Sequence, residues 1–479
     1  MSSFKSEFQK KGIVLIMKYY KIFITLLIII VSLGILISCG QDKKMTKDGR
    51  LIIEYWEKWT GFEGDAMKVI VEDFNASQDK IFVRYVMTEQ INQKMQAAVA
   101  GGNPPDVVGL WGANINSFAD MNVLTPIDDL IKENGINKED YLDMCMDVCT
   151  RRGITWGLPT TPASIALHWN KRLFKEAGLN PNRPPATLDE LDEYIEKLTY
   201  YKLSNGKRVS YRELIAMPDY KRQMETAELD QIGFLPFEPG WWNWAWFYWF
   251  GGSYWNGKDK YTLINEENLK TFEWITSFPK KYGLKQVRTF SSGFGGQFAS
   301  SQNPFLCSKV AMEMQGVWMY NFIRMYAPGM DWGAGAFPAD KPELKNTSFG
   351  ECDVLVIPKG AKHPEEGFEF IKYVNTPAVM EKLCIGQRKF SSFKKVSDDF
   401  YLKNPHPYIK LFETLAKSPN IHTVPPIPNW SEFDREFGAI HDNLRNLGKS
   451  PDDALQTLQD RVQKGLDRKL EALHRRGKI

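Results

Sequence analysis

The sequence predicts an α/β fold of more than one domain, built on a parallel sheet with right-handed crossovers. Residues 51–110 alternate strand, helix, strand, helix, strand, and that order produces parallel strands joined by crossover helices. The stop between the last helix and the last strand is firm, because GGNPP at 101–105 can continue neither element. At 479 residues the chain is long enough for two or three domains. Element by element, LIIEYW at 51–56 alternates in period 2 as a strand, and 61–77 carries the apolar spacing of an amphipathic helix. IFVRYVM at 81–87 is the second strand, INQKMQAAVA at 91–100 the second helix and DVVGL at 106–110 the third strand. In such sheets ligands lie beyond the carboxyl ends of the strands. That rule selects the loops 56–63 and 111–114, with Trp59 and Glu63 in the first and Trp111 and Asn114 in the second.

Charge gives little guidance: 61 Lys and Arg stand against 58 Asp and Glu, with no long basic run, which argues against a nucleic-acid partner. The outlier is the 13% aromatic share. It peaks at FEPGWWNWAWFYWFGG, residues 237–252, where Trp241, Trp242, Trp244, Trp246 and Trp249 crowd together. On a helix Trp242, Trp246 and Trp249 share one face and Trp241 and Trp244 another. Trp246 and Trp249 suit a core, whereas Trp241 and Trp242 follow the Pro239-Gly240 turn and are expected to line a cleft. A flat indole matches the C–H face of a sugar ring and leaves its N–H for a hydroxyl, so the pair is expected to form a carbohydrate platform.

Lys18 and Lys21 precede the uncharged run IFITLLIIIVSLGILIS at 22–38, which ends at Cys39-Gly40 and a polar stretch. This is the layout of an export signal, and the run falls slightly short of the roughly 20 residues that span a bilayer. A retained membrane helix is the competing reading. Leu36-Ile37-Ser38-Cys39 resembles the bacterial lipobox, in which the cysteine is lipidated. The expectation is a signal peptide at 1–38, with Met17 as an alternative start, then lipidated Cys39 and a tether to residue 50. The other cysteines, Cys145, Cys149, Cys307, Cys352 and Cys384, are odd in number and irregular in spacing. They are expected to be small buried apolar residues rather than a disulfide framework. GxxxxGK[ST], HExxH and GxSxG motifs and clustered metal ligands are absent, so no cofactor or metal is expected. GFGG at 293–296 is weak as a phosphate cradle and suits a cleft-edge loop.

A longer pattern covers nearly the whole mature chain. The run KMQAAVAGGNPPDVVGLWGANINSFADMNVLTPIDDL at 94–130 is followed by TWGLP at 155–159, ALHWNKRLFKEAGL at 166–179 and PPATLDEL at 184–191. Then come the Trp-rich stretch, KVAMEMQGVW at 309–318, WGAGAFP at 332–338, VLVIPKGAKHPEEGFEFIKYV at 354–374 and SPDDALQTLQDRV at 450–462. In this order the motifs resemble the bacterial extracellular solute-binding proteins of sugar ABC importers, the group containing the maltose-binding protein. The resemblance implies a two-lobed periplasmic-binding-protein fold, type II-like, with hinge crossovers and a ligand cleft between lobes. The lobes would be 51–161 with 342–395, and 162–341 with 396–479, the chain crossing near 160–163, 339–348 and 391–397. Pro159, Pro162, Pro338 and Pro342 stand at or beside those crossings. Residues 200–234 exceed a minimal member and would decorate the second lobe. Ser308 stands where the family commonly has Gly, and Gln387-Arg388-Lys389 replaces a Pro-containing segment.

Matched motif to motif, the first lobe would present Trp56, Trp59, Glu63, Trp111 and Asn114, and the second Ser164, Trp241, Trp242, Trp318 and Trp430. His168 is weighed as a core histidine, and Glu351 and Asp353, alternate residues of one strand, as structural or cleft-rim carboxylates. The expected function is a monomeric, lipid-anchored, non-enzymatic receptor that passes a sugar, an oligosaccharide on the Trp count, to an ABC permease. Its rivals are a lipid-anchored polysaccharide-degrading enzyme using Glu63 or Glu351, and a receptor for a non-sugar solute.

Overall fold

The computed structural model describes residues 44–237, 242–294 and 299–475. The expected export signal at 1–38, Cys39, Trp241 and the second half of the 293–296 loop lie outside the described residues. By its contacts the chain forms two units. The smaller has residues 44–52 and 79–82, where a Thr46–Arg50 turn precedes the first strand and Leu51 N–H donates to Lys80 O at 2.8 Å. The larger is 53–78 with 83–475.

The alternating pattern becomes β1 (Leu51–Glu57), α1 (Gly61–Ser77), β2 (Ile81–Met87), α2 (Ile91–Ala100) and β3 (Val107–Trp111). Strand β1 buries every second residue, and α1 buries Met67, Ile70, Val71 and Phe74 at the spacing of one helical face. β1 and β3 pair in parallel, Tyr55 opposite Val107. The helix α2 ends at Gly101, and Gly102 at φ +70° turns the chain out of it.

The sheet then continues through strands supplied from far along the chain. β4 (Gly157–Asn170) is 14 residues long and buried throughout, β5 is Met312–Gly316, β6 is Trp332–Gly335 and β7 is Ser348–Val356. The order is β5-β4-β7-β3-β1-β2, with β6 beside β4 and β8 (Ile421–His422) beside β7. β4 is shared along its length: its first half pairs with β7, and Ile165–Asn170 pairs with β5 and β6. The expected crossing at 160–163 lies inside this strand. Pro159 and Pro162 lack the N–H a ladder needs, and the β4–β7 register shifts between Cys352 and Val354.

Two large hydrophobic cores flank this sheet. One gathers Ile91, Leu110, Phe118, Val354 and Phe412. The other gathers Leu167, Trp169, Phe234, Trp246, Phe272 and Leu458. Into the second core α5 (Trp430–Arg445) and α6 (Pro451–Arg475) bury Phe433, Phe437, Leu455 and Val462, once α3 (Met319–Tyr326) and α4 (Pro377–Gln387) have preceded them in the chain. Residues 200–234 add a small three-stranded sheet of Tyr200–Lys202, Arg208–Ser210 and Glu228–Gln231.

Four of the five described cysteines are buried, but Cys307 is exposed, a correction to the expectation that all would be core residues. Cys307 sits in an exposed turn segment with its Sγ directed to Ser301 O at 3.1 Å. Beside it Ser308 adopts φ 58°, a left-handed conformation that favours Gly. Its hydroxyl accepts from Asn170 Nδ2 at 3.1 Å. His168 is a core residue: fully buried, it stacks on Trp332 at 5.4 Å, and burial lowers its pKa to about 3. Among the described residues no helix is long and apolar enough to cross a membrane.

Candidate functional site

The site begins where the β1 and β3 chains leave the sheet. Lys58 and Trp59 follow β1, Glu63 lies in the first turn of α1, and Trp111 ends β3 before a tight turn holding Ala113 and Asn114. β7 runs antiparallel beside β3, setting Asp353 opposite Trp111. From the other core Trp318 enters just before α3. Gly316 makes room for it: a Cβ there would meet the Trp318 ring at 2.4 Å, so any larger residue would push the indole away. These elements enclose a cavity of about 480 Å³ walled by Trp59, Trp111, Trp318 and Phe322, with Glu63, Glu351, Asp353 and Lys389 among its polar lining.

Trp59 and Trp111 stand almost perpendicular, 86° apart with centroids at 5.7 Å, and form a corner. Trp59 is fixed by its N–H, which donates to Asp353 Oδ2 at 2.8 Å, and Trp318 by donation to Gln315 Oε1 at 3.0 Å. Among the described residues the Trp111 N–H has no hydrogen-bond partner, which leaves it to a ligand in the cavity. Trp318 packs against both cores, so the cavity lies where they meet.

Beneath the aromatics is a buried charge network. Asp353 pairs with Lys58 at 3.0 Å and with Lys389 at 3.4 Å, and Lys389 pairs with Glu63 at 2.7 Å. Thr161 donates to Asp353 Oδ2 at 3.0 Å, and Gln387 donates to Glu63 O at 3.0 Å. Behind Lys58, Glu57 accepts from Tyr55 O–H and from the Lys58 and Trp59 backbone N–H groups. Burial alone would raise the Asp353 carboxyl, but Lys58 and Lys389 outweigh it and hold Asp353 below the ordinary carboxylate value. Burial would likewise lower Lys389, and Glu63 and Asp353 hold it above the usual lysine range.

Glu351 is different. It is partly open to the cavity and accepts one protein hydrogen bond, from Ala113 N–H at 3.1 Å. Burial pushes its carboxyl up to about 7, with Asp353 and Cys352 adding to the rise and Ala113 N–H and Lys58 opposing it. The folded state therefore holds a proton that the unfolded chain, near the ordinary glutamate value of 4.5, releases. Stability falls as pH rises between those two values, and the cost is fully present above the higher one. Glu351→Gln removes the charge, so its advantage over the wild type is expected to grow from near zero at about pH 4.5 to about 2 kcal/mol at about pH 8, after discounting for cavity solvent. Urea unfolding of both ligand-free proteins across that range measures it, and a pH-independent difference would refute it.

Of the sequence-predicted residues, the structure brings Trp59, Glu63, Trp111, Asn114 and Trp318 to one cavity. It places four elsewhere. Trp56 is half-buried against the first core, its N–H on Glu54 at 2.8 Å. Ser164 is fully buried, and its hydroxyl donates to Phe412 O at 2.7 Å. Trp242 is 2% exposed in the second core, 6.0 Å from Trp318 behind the cavity wall. Trp430 stacks on Phe433 at 4.9 Å and lines a neighbouring groove that also holds Asn114. Sequence reasoning gave no binding role to Thr161, Phe322, Asp353 or Lys389. For Lys389 a signal existed: it lies in the Gln387-Arg388-Lys389 segment that departs from the family pattern, and both Gln387 and Lys389 join the network.

Two cores joined by continuous strands, with an aromatic cavity where they meet, define the two-lobed periplasmic-binding class of protein. Residues 69–408 match the family described as bacterial extracellular solute-binding protein. The maltotriose-binding protein of Pyrococcus abyssi is 22% identical over 74% of this chain and 69% of its own. The sn-glycerol-3-phosphate-binding periplasmic protein of Escherichia coli is 22% identical over 77% of this chain and 81% of its own. Among solved structures, CpMnBP1 with mannobiose bound is 26% identical with a TM-score of 0.70, covering 86% of this chain and 99% of that one. The chain belongs to the bacterial extracellular solute-binding protein family, and is an exported protein.

Proposed function

We propose that this protein is a carbohydrate receptor that captures a sugar, an oligosaccharide, and delivers it to the permease of an ABC importer without altering its bonds. The observation that carries the reading is the corner of Trp59 and Trp111 facing Trp318 across one cavity. Flat apolar plates at right angles grip sugar rings, while Trp111 N–H, Asn114 and Glu351 are placed for hydroxyls. A sugar importer also accords with the maltotriose-binding relative and the mannobiose-bound structure. The glycerol-phosphate relative raises a second cargo, but an anionic phosphate calls for available cations. Here Lys58 and Lys389 are already neutralised by Asp353 and Glu63. The same pairing occupies two of the three cavity carboxylates, leaving Glu351 without a partner acid for hydrolysis.

Residues 51–161 with 342–395, and 162–341 with 396–479, act as two lobes that close on the ligand, since contacts from both sides are complete only when closed. Cys39 carries the lipid that tethers the receptor, which works as a monomer. Thermal-shift screening against mono- and oligosaccharides and sn-glycerol 3-phosphate tests the reading. A saccharide is expected to raise the unfolding temperature and to compact the protein in solution scattering, with no reducing ends released. Stabilisation by the phosphate ester and by no saccharide would overturn it.

A further inference from the structure

We propose that the ligand passes Glu351 into a second, hydrogen-bonding subsite formed by Asn116, Arg151 and Trp255, so that the cargo is longer than the aromatic cavity alone can hold. This rests on the carbohydrate reading. A cavity of about 720 Å³ adjoins the first, and the two share Ala113 and Glu351 in their walls. Gly257 stands in its wall with open space where a side chain would be, so a ligand can approach the backbone there.

Its chemistry differs from that of the aromatic corner. Arg151 is 8% exposed, and its terminal nitrogens are used by Pro426 O at 2.6 Å and Asp120 at 3.0 Å. Its Nε, the Trp255 Nε1 and the Asn116 Oδ1 are all buried and all lack a protein hydrogen-bond partner. Buried polar atoms are nearly always paired, so three orphans carried by residues of one cavity wall, two donors and one acceptor, leave hydrogen-bonding capacity that suits a ligand offering both functions. Hydroxyl groups do so, each donating and accepting, and a chain of sugars presents them in succession. Charged neighbours of both signs, Asp147, Arg152 and Lys258, give the space no preference for an ion.

Calorimetric titration with malto- and manno-oligosaccharides of two to five units tests this on wild type, Trp255→Phe and Asn116→Ala. The Phe variant keeps an aromatic ring against the second core while removing the N–H together with part of the indole. Wild-type affinity is expected to rise about tenfold between two and four units. Each variant is expected to bind the disaccharide within about twofold of wild type and to lose about fivefold on the tetrasaccharide, at unchanged ligand-free unfolding temperature. Equal wild-type affinity for both lengths, or equal losses on both in the variants, would overturn the second subsite and leave the carbohydrate reading intact. Failure of every saccharide to bind wild type would overturn both.

Discussion

Replacing Asp353 by Ala is expected to destabilise the protein by about 3–5 kcal/mol, the cost of stranding buried charge. The carboxylate is the hub of the network: it faces Lys58 at 3.0 Å and Lys389 at 3.4 Å and accepts from Trp59 and Thr161. Without it Lys58, 7% exposed, keeps only Glu57 at 3.6 Å. Asp331 provides the contrast, because its pairs with Lys171 and Lys175 are 3.8 and 3.5 Å long and its side chain is 56% exposed. Asp331→Ala should therefore cost less than about 1 kcal/mol. Chemical unfolding of both variants at neutral pH checks the difference. Acid gives a further check. Asp353 is held below the ordinary aspartate value of 3.8, so its stabilisation is present above that value and is lost as pH falls through the lower folded one. The gap between Asp353→Ala and wild type should close in strong acid. A small neutral-pH effect, or a gap that persists in acid, would mean that the lysines find other partners.

Removing the platform is expected to produce the largest loss of affinity. Trp111→Ala deletes one wall of the corner and the one indole N–H of the three that no protein group uses. About 100 Å² of apolar contact at about 25 cal/mol per Å² gives about 2–3 kcal/mol, or roughly 30- to 150-fold in affinity. Trp111→Phe keeps most of the plate and loses the hydrogen bond, so about fivefold is expected. Trp59→Ala together with Trp111→Ala should take a micromolar ligand beyond millimolar, measured by calorimetry with the saccharide found in the thermal-shift screen. If Trp111→Ala bound as tightly as wild type, the corner would be a structural feature and not a platform. Lys58 Nζ sits 5.0 Å from the Trp59 ring and 5.6 Å from that of Trp111, so this test also reports whether those faces are held for the ligand or for the lysine.

Much of the fold was legible because its signals are local. Period-2 and period-3.6 patterns set β1 to β3 with their helices, and the motif order identified the family. The strand-end rule reached Trp59, Glu63, Trp111 and Asn114 without any knowledge of the second core. The Trp-rich stretch was not legible in the same way. Spacing placed Trp242 and Trp246 on a common helical face but could not say what that face would meet. In the folded chain Trp242, Trp244, Trp246 and Trp249 are each at most 3% exposed. Trp246 and Trp249 spend their N–H groups on Pro236 O and Thr347 O, as core indoles do.

The sequence by itself determined which elements form, where the parallel strands end and which aromatic residues stand beyond them, because these depend on neighbours a few positions apart. Only the tertiary structure decided which tryptophans face the cavity and which charges lie beneath it. Lys58 and Asp353 are separated by hundreds of residues and Asp353 and Lys389 by two helices, Pro364–Val374 and Pro377–Gln387, and they meet where three successive residues of β7 line one space beside the register shift at Cys352. Burial then makes those charges depend on one another, and no local pattern encodes burial of that kind.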